Sequence, residues 1–235
     1  MADGRFYNFE GDDRDYVSVT TFLGIIAKPF LYGWNAKMER EYIRFLIEEE
    51  GYGLGDVLKV LNARPKEKPY GAQLYMKQTS DKGSKIHKAI DYTLKDLKLP
   101  KLNKVEQKLY DKWLEWWNAQ GYELQGAERI VKNSTHGYAG TMDALVIKAE
   151  QGLVIDWKTG KNHYNEHDLQ NYAYQKALWY EGQVVDGGLL VYIPEDKEID
   201  DSHKLPRVTD ELMKPVLHAL GLWRWANNKP WKENN

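Results

Sequence analysis

Three stretches with strand-like alternation follow one another in the second half of the chain, and they constrain the fold more than any other feature. Turn-forming residues separate these stretches, which span residues 122–131, 138–148 and 153–158. A helix at residues 104–120 precedes them and stops at Gly121. Apolar spacing indicates a second helix at residues 167–180, and a fourth strand follows at residues 188–193. The order α-β-β-β-α-β predicts an α/β protein with a mixed sheet and helices packed against it.

The first hundred residues show a different pattern. Apolar residues at helical spacing, mixed with charged ones, indicate helices at residues 34–50, 54–61 and 82–97. We therefore expect a helical extension at residues 1–102 and one compact unit with the sheet at residues 103–235. A closing helix is expected near the end of that second unit, at residues 209–225.

The composition bounds the possible functions. An apolar fraction of 42% and a charged fraction of 29% are ordinary for a soluble globular protein. No stretch approaches the roughly 20 apolar residues of a membrane helix, so we expect no membrane partner and a cytoplasmic location. The absence of cysteine excludes disulfides, thiolate zinc sites and iron–sulfur clusters. A net charge of −2 gives no overall basic field, so nucleic-acid binding would depend on a local groove.

Two acids and a lysine fall on the second and third strands. Asp156 and Lys158 are two residues apart, so in a strand they share one face and lie roughly 6.6 Å apart. The short turn before residue 153 makes the two strands a hairpin, which brings Asp143 close to them. Two carboxylates suit Mg²⁺ or Mn²⁺, which could lower the pKa of a bound water beside a phosphate, while Lys158 orients that water or neutralises developing charge. The alternative is an ion-pair cluster on a solvated sheet face.

Four short motifs surround these residues in a fixed order. They are Gly83-Ser-Lys-Ile-His87, Gly140-Thr-Met-Asp143, Asp156-Trp-Lys158 and Gln170-Asn-Tyr-Ala-Tyr174. In this order, and with the predicted α-β-β-β-α-β core, residues 83–193 resemble the RecB-like branch of the PD-(D/E)XK nuclease superfamily, to which the CRISPR-associated exonucleases belong. The resemblance implies a restriction-endonuclease-like core that follows an N-terminal helical extension. Members that hold an iron–sulfur cluster use four cysteines, so cluster-free, phage-type exonucleases are the better comparison.

The resemblance implies a role for each matching residue. Asp143 and Asp156 would be metal ligands, together with the backbone carbonyl of Trp157. His87 would be a further metal ligand supplied from the helical half of the chain; the alternative is a solvent-facing histidine on that helix. Lys158 would be the catalytic lysine.

Three more residues belong to the expected site. Gln170 and Tyr174 share one helical face, and the resemblance implies that they support catalysis and contact DNA. Spacing alone is equally compatible with a partly buried polar pair beside the core. Glu128, on the first predicted strand, is expected either at the metal site or as an exposed strand carboxylate.

These observations predict a Mg²⁺- or Mn²⁺-dependent deoxyribonuclease that acts in replication, recombination or repair, in a bacterial or phage-infected cell. We expect an exonuclease on single-stranded or end-bearing DNA, with residues 1–102 forming part of the passage for the strand. Two alternatives stay open. One is a structure-specific endonuclease, and the other is a catalytically silent nucleic-acid-binding module of the same fold.

Overall fold

The computed structural model describes residues 4–26, 30–62 and 71–229. These residues form a mixed α/β fold with one seven-stranded sheet, which confirms the predicted fold class. The strands are β1 (Phe6–Phe9), β2 (Asp12–Ser18), β3 (Glu123–Asn133), β4 (Tyr138–Lys148), β5 (Gln151–Lys158), β6 (Gly187–Tyr192) and β7 (Asp200–Pro206). The helices are α1 (Val19–Leu23), α2 (Phe30–Glu48), α3 (Leu54–Asn62), α4 (Gly71–Leu94), α5 (Lys104–Gln120), α6 (Asn165–Tyr180) and α7 (Asp210–Asn227). None of these described helices is long and apolar enough to span a membrane.

The chain divides into two compact units. One unit contains Met1–Ile26 and Lys85–Asn235, and the other is Ala27–Ser84. The division differs from the boundary at residue 102 expected from the sequence, since residues 1–26 and 85–102 group with the sheet. The second unit consists of α2, α3 and the first half of α4. Its expected role in a DNA passage stays a prediction.

The predicted core order is present as α5, β3, β4, β5, α6 and β6. Local chemistry explains why α5 begins and ends where the sequence predicts. Asn103 accepts hydrogen bonds from the backbone of Val105 and Glu106, and the Glu106 carboxylate accepts one from the backbone of Asn103. Gly121 ends the helix with a left-handed φ of 67°, which favours glycine.

Three strands were not predicted: β1, β2 and β7. The first two form a hairpin, and β2 then pairs in parallel with β4, with Val17 opposite Tyr138. A pairing across more than a hundred residues leaves no local pattern. At the other edge of the sheet, β7 alternates between exposed and half-buried residues, so it lacks the apolar alternation of an inner strand.

The sheet has an interruption beside β4. The strand order is β1-β2-β4-β5-β6-β7, and β3 pairs with β4 along nearly its whole length. On its other edge, β4 pairs with β2 at Tyr138 and Ala139, and with β5 from Ala144 to Lys148. The described ladders therefore leave residues 140–143 unpaired on that edge. We call this interruption the β4 gap.

The sheet also changes face at the gap. Met142 packs in the core with residues of α1, α6 and α7, whereas Ala144 packs in the core with residues of α4 and α5. Residues two apart in a regular strand share a face. In β3, the corresponding position is Glu128, which has a φ of 47° and lies between Ala127 and Arg129, the partners of Ala144 and Met142. Asp143 therefore lies where the strand rotates from one core to the other.

Candidate active site

Asp143 lies in the β4 gap, with its carboxylate between β5 and α4. Its Oδ2 accepts a hydrogen bond of 2.7 Å from the backbone N–H of Trp157, and its Oδ1 lies 3.3 Å from His87 Nδ1. The side chain thus accepts a hydrogen bond from β5 beyond the point where the β4–β5 pairing ends. Only 9% of Asp143 is exposed, so these contacts hold the carboxylate in a largely water-excluded position.

Asp143 forms a potential metal-binding group with two residues from other elements. Donor atoms of His87, Glu128 and Asp143 all lie within 4.8 Å of one another. The left-handed backbone of Glu128 places it beside Asp143 across the β3–β4 pair. One imidazole and two carboxylates are a donor set that suits a divalent cation such as Mn²⁺. The group therefore fits the metal that the sequence predicts.

The second group consists of Asp156, Lys158, Gln170 and Tyr174. Lys158 Nζ lies 2.5 Å from Asp156 Oδ2 and donates a hydrogen bond of 3.0 Å to Gln170 Oε1. Gln170 Nε2 donates to Asp156 Oδ1 at 3.2 Å and to Tyr174 Oη at 3.0 Å. Both ends of the amide are therefore used to hold an acid and a lysine together.

Buried negative charge dominates the electrostatics. Burial, opposed by Lys158 and reinforced by Asp143, raises the pKa of Asp156 to about 6. Burial and then Asp143 raise the pKa of Glu128 to about 7. Asp156 Oδ2 is fully buried. Among the described residues, it contacts the Lys158 ammonium but accepts no hydrogen bond. A cation at this position would relieve the repulsion.

His87 and Asp143 shift each other in opposite directions. Burial lowers the pKa of His87, but the nearby Asp143 carboxylate outweighs it, and the net pKa is raised. For Asp143, burial raises the pKa, while the charge and hydrogen bond of His87 bring it below its usual value. The two shifts agree in sign, and they describe an ion pair between a partly exposed imidazole and a largely buried carboxylate.

Trp157 anchors the strand that carries the Asp-x-Lys motif. Its side chain is 1% exposed and points away from Asp156 and Lys158, as the predicted alternation requires. Three tryptophans of α5 surround it with ring centroids 5.9 to 6.0 Å away: Trp113, Trp116 and Trp117. These edge contacts stabilise the end of β5. The role of the Trp157 carbonyl as a metal ligand stays a prediction.

Gly140 allows α6 to approach the β4 gap. A Cβ atom at this position would lie 2.5 Å from Cε1 of Tyr174, which is too close for any side chain. Tyr174 is 2% exposed, and burial raises its pKa well above the ordinary value. The glycine three residues before Asp143 therefore makes room for the ring whose hydroxyl accepts from Gln170.

The structure brings the predicted side chains into two adjoining groups. One contains His87, Glu128 and Asp143, and the other contains Asp156, Lys158, Gln170 and Tyr174. The backbone of Trp157 connects the two groups. The alternative of a solvated ion-pair cluster is wrong, since Asp156 is 1% exposed.

A neighbouring cluster was missed by sequence reasoning. Tyr192 pairs with Lys158 across β5 and β6, and its Oη lies 2.8 Å from His167 Nδ1. Burial, followed by the charge of Asp156, raises its pKa above the ordinary value. Next to it, the rings of His163 and His203 stack 4.6 Å apart. The pairing of distant strands assembles this cluster, so no local motif could have revealed it.

Comparisons with known proteins give distant similarities. No protein-family model matches the chain. No curated protein matches it either. Among solved structures, the chain is similar to an alkaline exonuclease, LHK-Exo, from Laribacter hongkongensis, with 12% identity over 62% of this chain and 78% of that one and a TM-score of 0.38. LHK-Exo in complex with dAMP gives 14% identity, coverage of 72% and 83%, and a TM-score of 0.37.

A third solved structure, SSO0001, is 22% identical over 53% of this chain, with a TM-score of 0.34. The chain spans 58% of that protein, which is less than two thirds. Because all three TM-scores lie below 0.5, these similarities carry no functional argument.

Proposed function

We propose that the protein is a metal-dependent deoxyribonuclease that hydrolyses phosphodiester bonds of DNA. The observation that carries this proposal is the convergence of a potential metal-binding group and a buried acid–lysine pair at one interruption of the sheet. The residues are His87, Glu128, Asp143, Asp156 and Lys158. Ionisable groups with perturbed pKa values cluster at functional sites, and acids and an imidazole that converge on one point can hold the cation that metal-assisted phosphoryl chemistry uses.

Asp143, Asp156, His87 and Glu128 would hold Mg²⁺ or Mn²⁺, and the carbonyl of Trp157 would complete the ligand set. When bound, such a cation supplies charge stabilisation at the phosphoryl oxygens and makes a water more acidic. The raised pKa values of Asp156 and Glu128 support this assignment, because burial and the nearby Asp143 carboxylate disfavour the anionic form of each, and a bound cation would offset this cost.

Lys158 would be the catalytic lysine. Its ammonium has three donors, and the described partners, Asp156 and Gln170, account for two of them. The third N–H is available to a phosphoryl oxygen or to the attacking water. There it would orient the nucleophile or neutralise the charge that develops during attack.

Gln170 and Tyr174 act on this lysine as positioning residues. Gln170 holds Lys158 through its carbonyl oxygen and Asp156 through its amide N–H, so it sets the separation of the acid and the lysine. Tyr174 accepts from the same amide and fixes its orientation. Rigid placement of this kind is what catalytic groups need to act without reorganisation.

The family resemblance supports a more specific assignment. We propose a cluster-free exonuclease of the phage type that acts on single-stranded or end-bearing DNA in replication, recombination or repair, in the cytoplasm. Residues 1–102 would contribute to the passage for the strand. A narrow passage of this kind would require a free end.

The test compares linear single-stranded, linear duplex and circular single-stranded DNA in Mg²⁺, Mn²⁺ or EDTA. We expect cleavage of linear DNA with either metal and none in EDTA. Lys158→Ala should lower kcat about 100- to 1000-fold, because it removes a charge placed at the reacting phosphate. Lys161→Ala is the matched control, since Lys161 is an exposed lysine paired with Asp196 at 3.4 Å.

Each other outcome has a definite meaning. Cleavage in EDTA, or full activity of Lys158→Ala, would contradict the proposed chemistry. Cutting of circular single strands would contradict the exonuclease assignment and favour the structure-specific endonuclease. Binding without any cleavage would favour the catalytically silent module.

A further inference from the structure

Arg5 is an exposed arginine whose backbone is held on both sides. Its N–H donates a hydrogen bond of 3.0 Å to Thr21 Oγ1. Its carbonyl accepts one of 2.9 Å from the N–H of Ser18. The residue immediately precedes β1, so these bonds fix the position from which its side chain extends.

The guanidinium of Arg5 is also positioned. It lies 4.9 Å from the centroid of the Tyr7 ring, which is a cation–π contact. Tyr7 is 9% exposed, and its hydroxyl lies 3.1 Å from Thr141 Oγ1 in the β4 gap. Thr141 is two residues from Asp143. A continuous set of contacts therefore connects the exposed charge to the strand that carries the candidate metal ligand.

Arg5 differs in its charge environment from Arg14, Arg44 and Arg129, but not from Arg207, for which the described residues likewise supply no ion pair. Arg14 is paired with Asp12, Arg44 with Glu41 and Arg129 with Glu181. Within the described residues, Arg5 has no carboxylate within ion-pair distance. A charge that is held on a ring in contact with the β4 gap, and that has no carboxylate partner among the described residues, is suited to an external anion. The guanidinium fork matches the oxygens of a phosphate.

We propose that Arg5 binds a backbone phosphate of the DNA next to the scissile phosphate, and that the Tyr7 ring holds the Arg5 guanidinium in position. This inference rests on the proposed function, because it deepens the assignment of the same face as a DNA-binding surface. The contact is to a phosphodiester, so it orients the strand without reading its sequence.

The experiment measures DNA binding in EDTA, where the proposed chemistry is stopped. Kd values for labelled single-stranded and duplex oligonucleotides are determined across a salt series. Arg5→Gln keeps most of the side-chain length and removes the charge, and Arg5→Ala removes both. We expect each to raise Kd about tenfold at low salt. The slope of log K against log salt should fall by about 0.7 for single strands and about 0.9 for duplex.

Three further variants sharpen the test. Arg207→Ala removes an exposed arginine that directly follows β7, at the opposite edge of the sheet, and should leave Kd and slope unchanged. Tyr7→Phe keeps the ring and should retain binding, whereas Tyr7→Leu removes the cation–π contact and should reproduce the loss seen with Arg5→Gln. Melting temperatures confirm that every variant is folded.

The results separate this inference from the proposed function. A reduced slope in Arg5→Gln, together with no cleavage in Mn²⁺, would support the contact between Arg5 and a DNA phosphate and reject the nuclease. Cleavage by the wild type with an unchanged slope in Arg5→Gln would reject the inference alone. Equal losses in Arg207→Ala, or no DNA binding by the wild type, would also reject it.

Discussion

Helix α6 presents two polar pairs, one residue apart, that serve different purposes. Gln170 and Tyr174 face the acid–lysine pair at the end of β5. Asn171 and Gln175 face the interior of the sheet and are 0% and 1% exposed. Both pairs have a spacing of four residues, so they form parallel rows on neighbouring sides of the helix.

The Asn171–Gln175 pair is neutral and bonds mainly to backbone. Asn171 Nδ2 donates to the carbonyl of Val154 at 3.0 Å, and Gln175 Nε2 donates to Asn171 Oδ1 at 2.9 Å. Gln175 Oε1 accepts from the N–H of Val208 at 2.8 Å. Gly188 makes room for this network, since a Cβ there would lie 2.0 Å from Asn171 Oδ1. The network ties α6 to the sheet.

The Gln170–Tyr174 pair instead bonds to side chains that carry charge. It adjoins Asp156, whose pKa is raised by burial and by the Asp143 carboxylate, and a lysine whose partners among the described residues use two of its three donors. A fully bonded neutral network stabilises the fold, whereas a cluster of opposed buried charges costs stability and serves chemistry. Polar groups on a single helix can therefore serve the stability of the fold in one pair and the chemistry of the site in the next.

The largest expected effect is a loss of stability in Asn171→Ala without a loss of catalysis. Asn171→Ala removes the donor to the Val154 carbonyl and the acceptor of one Gln175 amide hydrogen bond, so the free energy of unfolding should fall by about 3 kcal/mol. Urea unfolding measures the change, and kcat per folded molecule should stay at the wild-type value. Gln107→Ala is the control, because the Gln107 amide donates to Asp111 on an exposed helix face. A fall in kcat in Asn171→Ala, with stability retained, would contradict the structural role assigned to the Asn171–Gln175 pair.

The opposite result, a loss of catalysis with little loss of stability, is expected for a substitution at Gln170. Gln170→Ala removes the group that holds Lys158 against Asp156, and kcat should fall about 10- to 100-fold, as is typical when a supporting partner of a metal site is lost. The melting temperature should change little, because Gln170 is only partly buried. Tyr174→Phe, which keeps the ring, should give a smaller loss of kcat. If Gln170→Ala were fully active, the positioning role would be wrong.

The smallest effect concerns pH. Burial, followed by Asp143, raises the pKa of Glu128 from 4.5 to about 7, so the folded state binds this proton more tightly than the unfolded state. The stability associated with the protonated acid is full below pH 4.5 and is lost as the pH rises through about 7. In EDTA, Glu128→Gln should therefore be more stable than the wild type at pH 8 by about 1–2 kcal/mol. The two proteins should not differ at pH 4.

The same comparison can be repeated with Mn²⁺. A cation held by Glu128 would stabilise the wild type at pH 8 more than the variant, and the order of the two melting temperatures should reverse. Equal stabilisation of both proteins by Mn²⁺ would indicate that Glu128 is not a ligand. Thermal unfolding at several metal concentrations gives this result directly.

Local patterns predicted the core elements with good accuracy. The alternation around Asp156 and Lys158 put both side chains on one face, and the structure places Trp157 on the other. The spacing of Gln170 and Tyr174 put them on one side of a helix, where they share a hydrogen bond. Such patterns are readable because side-chain direction repeats every 2.0 residues in a strand and every 3.6 in a helix.

The pairing of distant segments was not readable from these patterns. The β4 gap exists because β2 and β5 pair with different parts of the same strand edge, and residues far apart in the chain meet there. His87 reaches Asp143 from α4, and the left-handed backbone of Glu128 brings a third donor to the same point. The sequence alone therefore determined which residue types are present and how they are spaced. Their convergence depends on long-range strand pairing, for which periodicity contains no signal.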